Sequence, residues 1–320
     1  MMVTTAKFFF RAFMGLLFAG LLLVTPNSQL HAENQPEGSA HGYDAVRIED
    51  DLSLAYPLGK TEEIVQYLKS KYIDDTAFVK SLGTNFTASF GDEDFTDTYF
   101  DTPNLDLYKR KIGLRHRLRV NLLDPENRKN GRELIQLKLS ADDKFADKDN
   151  SGSRNEIKFE VVRPETISDR DDKHSLLGLI ARGQRDDFKD RIKELGLDAY
   201  KLRPMVTVQQ RRQRVYVNRD WATFISFSMD DAESRRWWAS IKFSQMELEL
   251  NELVYTEADA AEKERMQEIR KGMVKDLREH SDYLKSDKTI KYQKAFDLLA
   301  AKIPWMRFWI RIGLMNPSQK

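Results

Sequence analysis

The chain of 320 residues has no cysteine, only 9 prolines and 15 glycines, and almost no net charge, with 52 Lys and Arg against 51 Asp and Glu. Without cysteine there can be no disulfide scaffold, Cys-ligated zinc, iron–sulfur cluster or cysteine nucleophile. So little Gly and Pro excludes a collagen-like chain, and 41% hydrophobic residues exclude a disordered one. A net charge of +1 argues against a protein built to coat nucleic acid, and no nucleic-acid partner is expected. The length suits one large domain or two small ones with a real core. What carries information is where the charges sit.

The N-terminus has the make-up of a secretory signal peptide. Lys7 and Arg11 precede an apolar run from Ala12 to Val24, and small Ala32 follows a polar stretch as a cleavage position. An uncleaved anchor would need about 20 apolar residues, and Arg11 interrupts the only candidate. The expected organisation is a signal peptide at 1–32, a flexible leader at 33–42, a barrel domain at 43–255 and a helical extension at 256–320. Such a protein is exported, to the periplasm or the exterior.

Tyr43 to Leu58 reads as extended, followed by a helix with Thr61 as its cap and Ile64, Val65 and Leu68 at helical spacing. From Phe95 to Val162 come short alternating segments with polar turns, then helical spacing over 175–200, strands again from Met205, and charge-rich helix over 257–303. The alternation is unusual in kind. Leu114, Leu118 and Val120 oppose Arg115, Arg117 and Arg119; Ile135, Leu137 and Leu139 oppose Gln136 and Lys138; Ile157, Phe159 and Val161 oppose Glu156, Lys158 and Glu160. Val215 and Val217 oppose Arg212 and Arg214, Phe227 and Met229 oppose Ser228 and Asp230, and Leu248 and Leu250 oppose Glu247 and Glu249. Two architectures satisfy this set: an open sheet with a solvated charged face, and a closed barrel with apolar faces outward under helices and a charged interior. In a narrow lumen, Arg and Lys repel one another unless an anion of high charge joins them. A cationic lumen therefore implies a polyanion, and carboxylates beside it imply a metal bridging protein and phosphate oxygens.

The run TYFDTPNLDLYKRKIGLRHRLR, followed by LIQLKL, SRNEIKFEV, QQRRQRVYV, ISFSMDDA and MELEL, resembles in order and spacing the strands of the CYTH and triphosphate tunnel metalloenzyme superfamily, which includes VTC-like polyphosphate-polymerase domains. The resemblance implies an α+β fold: a closed eight-stranded antiparallel β-barrel with a charged lumen, helices packed outside, and here C-terminal helices. It implies substrate-binding roles for Arg115, Arg117, Lys138, Arg212 and Arg214, and a similar one for Lys291, which looks like the lysine that polyphosphate-polymerising relatives bring from a C-terminal helix. Glu156 and Glu247 match catalytic acidic positions, and Glu247 with Glu249 the ligands of Mg²⁺ or Mn²⁺. The partner so implied is triphosphate, polyphosphate or another phosphorylated compound, bound and, with metal, hydrolysed.

One departure is plain. The family opens on a strand reading E-x-E-x-K, and this chain offers either Asp51, Ser53 and Ala55 or, in a shifted register, Arg47, Glu49 and Asp51. The alternative expectation is thus a catalytically inactive polyanion-binding or interaction module of the cell envelope. His116 shares the apolar parity and reads as a packed histidine. The stretch Ile303 to Met315, with Trp305, Phe308, Trp309, Arg307 and Arg311, reads either as a tail packed on its own domain or as peripheral membrane contact.

Overall fold

The computed structural model describes residues 43–47, 52–83, 85–126, 131–139, 154–163, 165–220, 222–287 and 289–312. The chain divides into the units Met1–Asn34 and Gln35–Lys320, and every described residue lies in the second. The expected signal peptide (1–32) and leader (33–42), with Glu49 and Asp51, fall outside the described residues.

The alternating segments form strands β1 (Tyr43–Arg47), β2 (Leu52–Tyr56), β3 (Phe86–Asp101), β4 (Gly113–Asn121), β5 (Arg132–Lys138), β6 (Arg154–Glu160), β7 (Arg203–Arg219), β8 (Ala222–Arg236), β9 (Ala239–Leu250) and β10 (Lys285–Ser286). They make one antiparallel sheet in the order β1-β6-β5-β4-β3-β7-β8-β9-β2-β10. The eight expected strands are all there. The described count is ten because the first is represented by both β1 and β2, either side of residues 48–51, and because two residues of β10 add to β2. Strand β3 starts at Phe86 rather than Phe95, since Phe86–Asp94 pair residue for residue with Arg219–Arg211 of β7. Gly91 interrupts the hydrophobic alternation there, and its missing side chain leaves room for the Tyr216 ring, which would lie 3.0 Å from an added Cβ.

This sheet curls. Eight strand spacings separate β1 from β2 in the sheet order, about 38 Å if laid flat. The five Cα–Cα steps from Arg47 to Leu52 reach at most about 19 Å, so the two sides of the sheet must bend toward one another.

The helices are α1 (Thr61–Leu68), continued by a π-helical turn (Lys69–Asp74), α2 (Thr76–Ser81), α3 (Asp106–Lys109), α4 (Arg170–Lys173), α5 (Arg185–Glu194), α6 (Glu252–Glu257), α7 (Ala260–His280), α8 (Lys291–Lys302) and α9 (Met306–Arg311). Two apolar layers clothe the face opposite the charges. In one, Ile64, Val65 and Leu68 of α1 and Met266, Met273 and Leu277 of α7 pack on Val215, Val217, Phe227, Met229, Met246 and Leu248. In the other, Phe188 and Ile192 of α5 with Leu176 and Leu177 cover Leu114, Ile135, Leu137, Ile157 and Phe159. Each such side chain, fully buried, contributes about 1.5–3 kcal/mol, which is what holds the charged face on the other side of the strands.

The third apolar cluster belongs to the C-terminal helices, which the sequence reading set apart from those packed outside. Tyr292, Phe296 and Leu299 of α8 and Met306 and Ile310 of α9 meet Tyr99, Val206, Val208, Ala232 and Phe243. Those strand residues have the parity of Asp97, Arg212, Asp230 and Gln245, so α8 covers one end of the charged, inward face.

Three local expectations also change. Thr61 does not cap α1, whose N-cap is Lys60 with no side-chain bond; the Thr61 hydroxyl instead donates to Asp231 Oδ1 at 2.7 Å. The stretch 175–200 is only partly α-helical, with 3-10 turns at Leu177–Leu179 and Arg182–Gln184 before α5. Gly178 lies so close to the Asp172 carbonyl that a Cβ would stand 2.5 Å from its oxygen. The run 257–303 is interrupted between α7 and α8, where Asp287 accepts from the Thr289 N–H (2.9 Å) and binds Lys294 (2.6 Å), a local turn that competes with helix.

Candidate anion site on the inward face

The inward residues of β3, β4 and β7 are rich in charge, and Glu93, Asp97, Arg115, Arg117 and Arg212 among them are buried. Asp97 is fully buried and accepts two bonds from Arg117, Nε to Oδ1 and Nη2 to Oδ2, both 2.6 Å, and one from Arg115 Nη1 at 3.2 Å. Arg115 Nε also donates to Gln136 Oε1 at 2.7 Å, and the Gln136 amide donates to Glu156. Lys138 Nζ is 3.9 Å from Glu156 Oε2. From β7, on the other flank of β3, Arg214 Nη1 donates to Glu93 Oε2 at 2.9 Å and Nε to Ser228 Oγ at 3.0 Å, while Arg119 of β4 reaches Glu93 Oε1 through Nε at 2.7 Å. The Phe95 ring lies between the two flanks, with guanidinium carbons of Arg117, Arg212 and Arg214 at 4.3, 5.4 and 5.9 Å from its centroid.

A second cluster sits on β7, β8, β9 and the first residue of α8. Arg212 forks onto Asp230 (Nε to Oδ1 2.6 Å, Nη2 to Oδ2 2.7 Å) and Nη2 also reaches Glu247 Oε2 at 2.8 Å. Lys291 Nζ is bonded to Asp230 Oδ2 and lies 2.9 Å from Glu247 Oε1. Both carboxylates, though disfavoured by burial, are held below their ordinary range: Asp230 by Arg212 and Lys291, and Glu247, well below, by Lys291, Arg212 and Lys138. That Lys138 on β5 acts on Glu247 on β9 joins the two clusters across the curl. Burial of Asp97 likewise works against its charge, and Arg115 and Arg117, with a contribution from Lys291, overcome it.

The structure thus brings together Arg115, Arg117, Lys138 and Glu156 on one side and Arg212, Arg214, Glu247 and Lys291 on the other. Glu249 pairs in register with inward Ser226 and acts on Arg212 and Arg214. His116 faces the other way, 2.7 Å from Glu133 Oε2. Sequence reading missed Asp97, Glu93 and Gln210 as members of the site. Asp97 and Glu93 share the odd parity of Phe95, so alternation alone could have found them once β3 was drawn at full length. Among the described residues, buried Gln210 has no partner for either polar atom of its amide, and Gln245 Oε1 has none. Such atoms cost about 1–3 kcal/mol each unless water or a ligand satisfies them.

The built-in carboxylates change one inference. The inward cations are not left to repel each other until an anion arrives, because Asp97, Glu93 and Asp230 already join them. They also bear on metal. CYTH domains are generally metal-dependent, but both oxygens of Glu247 and both of Asp230 already face Arg212 or Lys291. Strand β2 places Ser53 opposite Glu247 and Ala55 opposite Gln245, so no carboxylate joins Glu247 from the described part of the first strand. Among the described residues no group of three His, Asp or Glu is placed to hold an ion. The arrangement does not fit a resident divalent cation at Glu247 and Glu249.

The chain is similar in structure to the PH1819 protein of Pyrococcus horikoshii OT3 (17% identity, 79% of this chain and 99% of that one, TM-score 0.38). It is similar to HpAC1 of Hippeastrum, described as having a dominant triphosphatase activity (15%, 80% and 97%, TM-score 0.42), and to the Pct1 RNA triphosphatase of S. pombe (12%, 70% and 63%, TM-score 0.30). No curated protein matches the chain. The CYTH domain model matches residues 63–280, which takes in strands β3 to β9 with their inward arginines and glutamates: the chain belongs to the CYTH family.

Proposed function

We propose that this protein binds a linear phosphate polyanion, inorganic triphosphate or short polyphosphate, on the inward face of a closed barrel. The observation that carries the reading is the burial of Arg115, Arg117 and Arg212 beneath one curled sheet, beside a Gln210 amide with no partner among the described residues. Guanidinium forks suit phosphate oxygens, and each charge-assisted bond contributes about 1.5–3 kcal/mol. The phosphate chain enters by exchange, its oxygens replacing Asp97 and Glu93 on Arg117 and Arg214 while Lys138 and Gln210 donate to it. Closure is part of the proposal, supported by β1 and β2, which lie on opposite sides of the sheet order yet are joined by residues 48–51.

Hydrolysis is the second reading, favoured by membership of a family whose members are generally metal-dependent; in it Glu156, buried beside Lys138 and Gln136, is the group that would orient water. The first reading accounts better for Ser53, Ala55 and the neutralised Glu247. We read the protein as exported, on the strength of Lys7, Arg11, the 12–24 run and Ala32, and as a barrel domain, 43–255, whose extension, 256–320, supplies Lys291 to the site.

Isothermal titration with tripolyphosphate, with and without Mg²⁺, assayed in parallel for released phosphate, tests this. Binding without Mg²⁺ and without release is expected. Absence of heat under both conditions would reject binding, and metal-dependent release would establish the hydrolase reading in its place.

A further inference from the structure

Away from the inward face, two turns present bulky aromatics to solvent. The β8–β9 hairpin ends in Trp237 and Trp238, 53% and 72% exposed, and the turn from α8 to α9 carries Trp305 at 76%, followed by Phe308 at 52% and Ile312 at 47%. The two turns adjoin. Ala239 and Ile241 pack with Ile303, Met306 and Ile310, and Lys302 Nζ donates to the Ser240 carbonyl at 2.6 Å. The tail therefore does pack on its own domain, through Met306 and Ile310, while its other side stays open.

Trp237 and Trp305 both sit in left-handed backbone, at φ 50° and 62°. That conformation suits glycine or asparagine and is costly for a large side chain. A sequence selected for stability alone would not place tryptophan at either turn. Around them Arg235, Lys242, Lys302, Arg307 and Arg311 are exposed; the nearby carboxylates are Glu233, which pairs with Arg235 and Lys242, and Asp297, which pairs with Arg307. Cations outnumber carboxylates, and they rim indole rings. Indole groups favour the headgroup level of a bilayer, and surrounding Lys and Arg favour anionic lipid.

We propose that the paired turns at 235–242 and 302–312 are a docking surface for an anionic phospholipid membrane, which holds the protein peripherally through its tryptophans. No helix among the described residues is long and apolar enough to cross a membrane, so the contact lies in the interface plane. The proposal is independent of what the inward face binds.

The test uses the chain from Gln35 to Lys320, which contains every described element and the whole family match and is free of the apolar 12–24 run. It should co-sediment with vesicles of equal parts phosphatidylglycerol and phosphatidylcholine about tenfold more than with phosphatidylcholine alone, be released by salt, and show a blue shift of tryptophan emission. The double variant Trp237→Gly, Trp305→Gly should lower vesicle binding about tenfold while its melting temperature holds or rises, because strain is relieved. A purely structural role would instead lower the melting temperature and leave vesicle binding intact. Failure to bind anionic vesicles, wild-type binding by the variant, or sedimentation of the wild type without vesicles through self-association would each overturn the proposal.

Discussion

Asp97 takes bonds from two arginines with no exposure to water, and Asp172 accepts from the Ser168 N–H, Arg182 and Arg185. Both have a pKa below the ordinary 3.8. A carboxyl that binds its proton less tightly when folded contributes stability that is complete above the unfolded value and is lost as pH falls from there through the lower folded value. Asp101 acts in the opposite sense, raised by burial despite accepting from the Leu107 and Tyr108 N–H groups, but it is one group against several. Melting temperature should be level near pH 6–7 and fall steeply below about pH 4. Asp97→Asn should cost about 3–5 kcal/mol at neutral pH, by stranding two buried guanidinium groups, and flatten the acid limb; an unchanged melting curve would contradict the burial of this pair. At this scale Arg115, Arg117 and Arg212 were legible because alternation fixes parity. Their carboxylate partners were not, since a sequence shows which face a residue takes but not which neighbour it meets.

Among the elements, strands β4 to β9 were readable because each alternates apolar with polar or charged residues; β4, β5 and β6 pair in chain order, as do β7, β8 and β9, whereas nothing local sets β7 beside β3 rather than β6. Helix α8 was not. Its apolar residues predict a helix with one buried side, and nothing local says that the side packs on the inward face, where the Tyr292 hydroxyl donates to Asp101 at 3.0 Å and its ring stacks on Tyr99 at 5.2 Å. The placement puts Lys291 between Asp230 and Glu247, where an ammonium does the neutralising that a divalent ion would otherwise do. Lys291→Ala should therefore lose about 3–5 kcal/mol of stability, and added MnCl₂ should restore much of its melting temperature while leaving wild type unmoved. No recovery with Mn²⁺ would show that the carboxylates are not arranged for a cation in any state.

For the whole molecule, the inside-out pattern of the strands was the most legible feature, and it dictated that helices cover the apolar side. The curl was implied by charge but is argued better by connectivity, since β1 and β2 pair at remote places in the sheet order and are joined by residues 48–51. The near balance of cations and carboxylates on the inward face was hidden in the sequence, because Glu93 lies in the half of β3 where alternation is weak and nothing local pairs Asp97 with Arg115 and Arg117. The most direct measurement is a crystal structure with tripolyphosphate bound. Phosphate oxygens within hydrogen-bond distance of Lys138, Arg214 and Gln210, with Asp97 or Glu93 displaced, are predicted. The competing basic depression, of about 480 Å³, lies on α7 between Arg270, Lys271, Lys275 and Arg278; the anion seated there, with the inward ion pairs intact, would contradict the account.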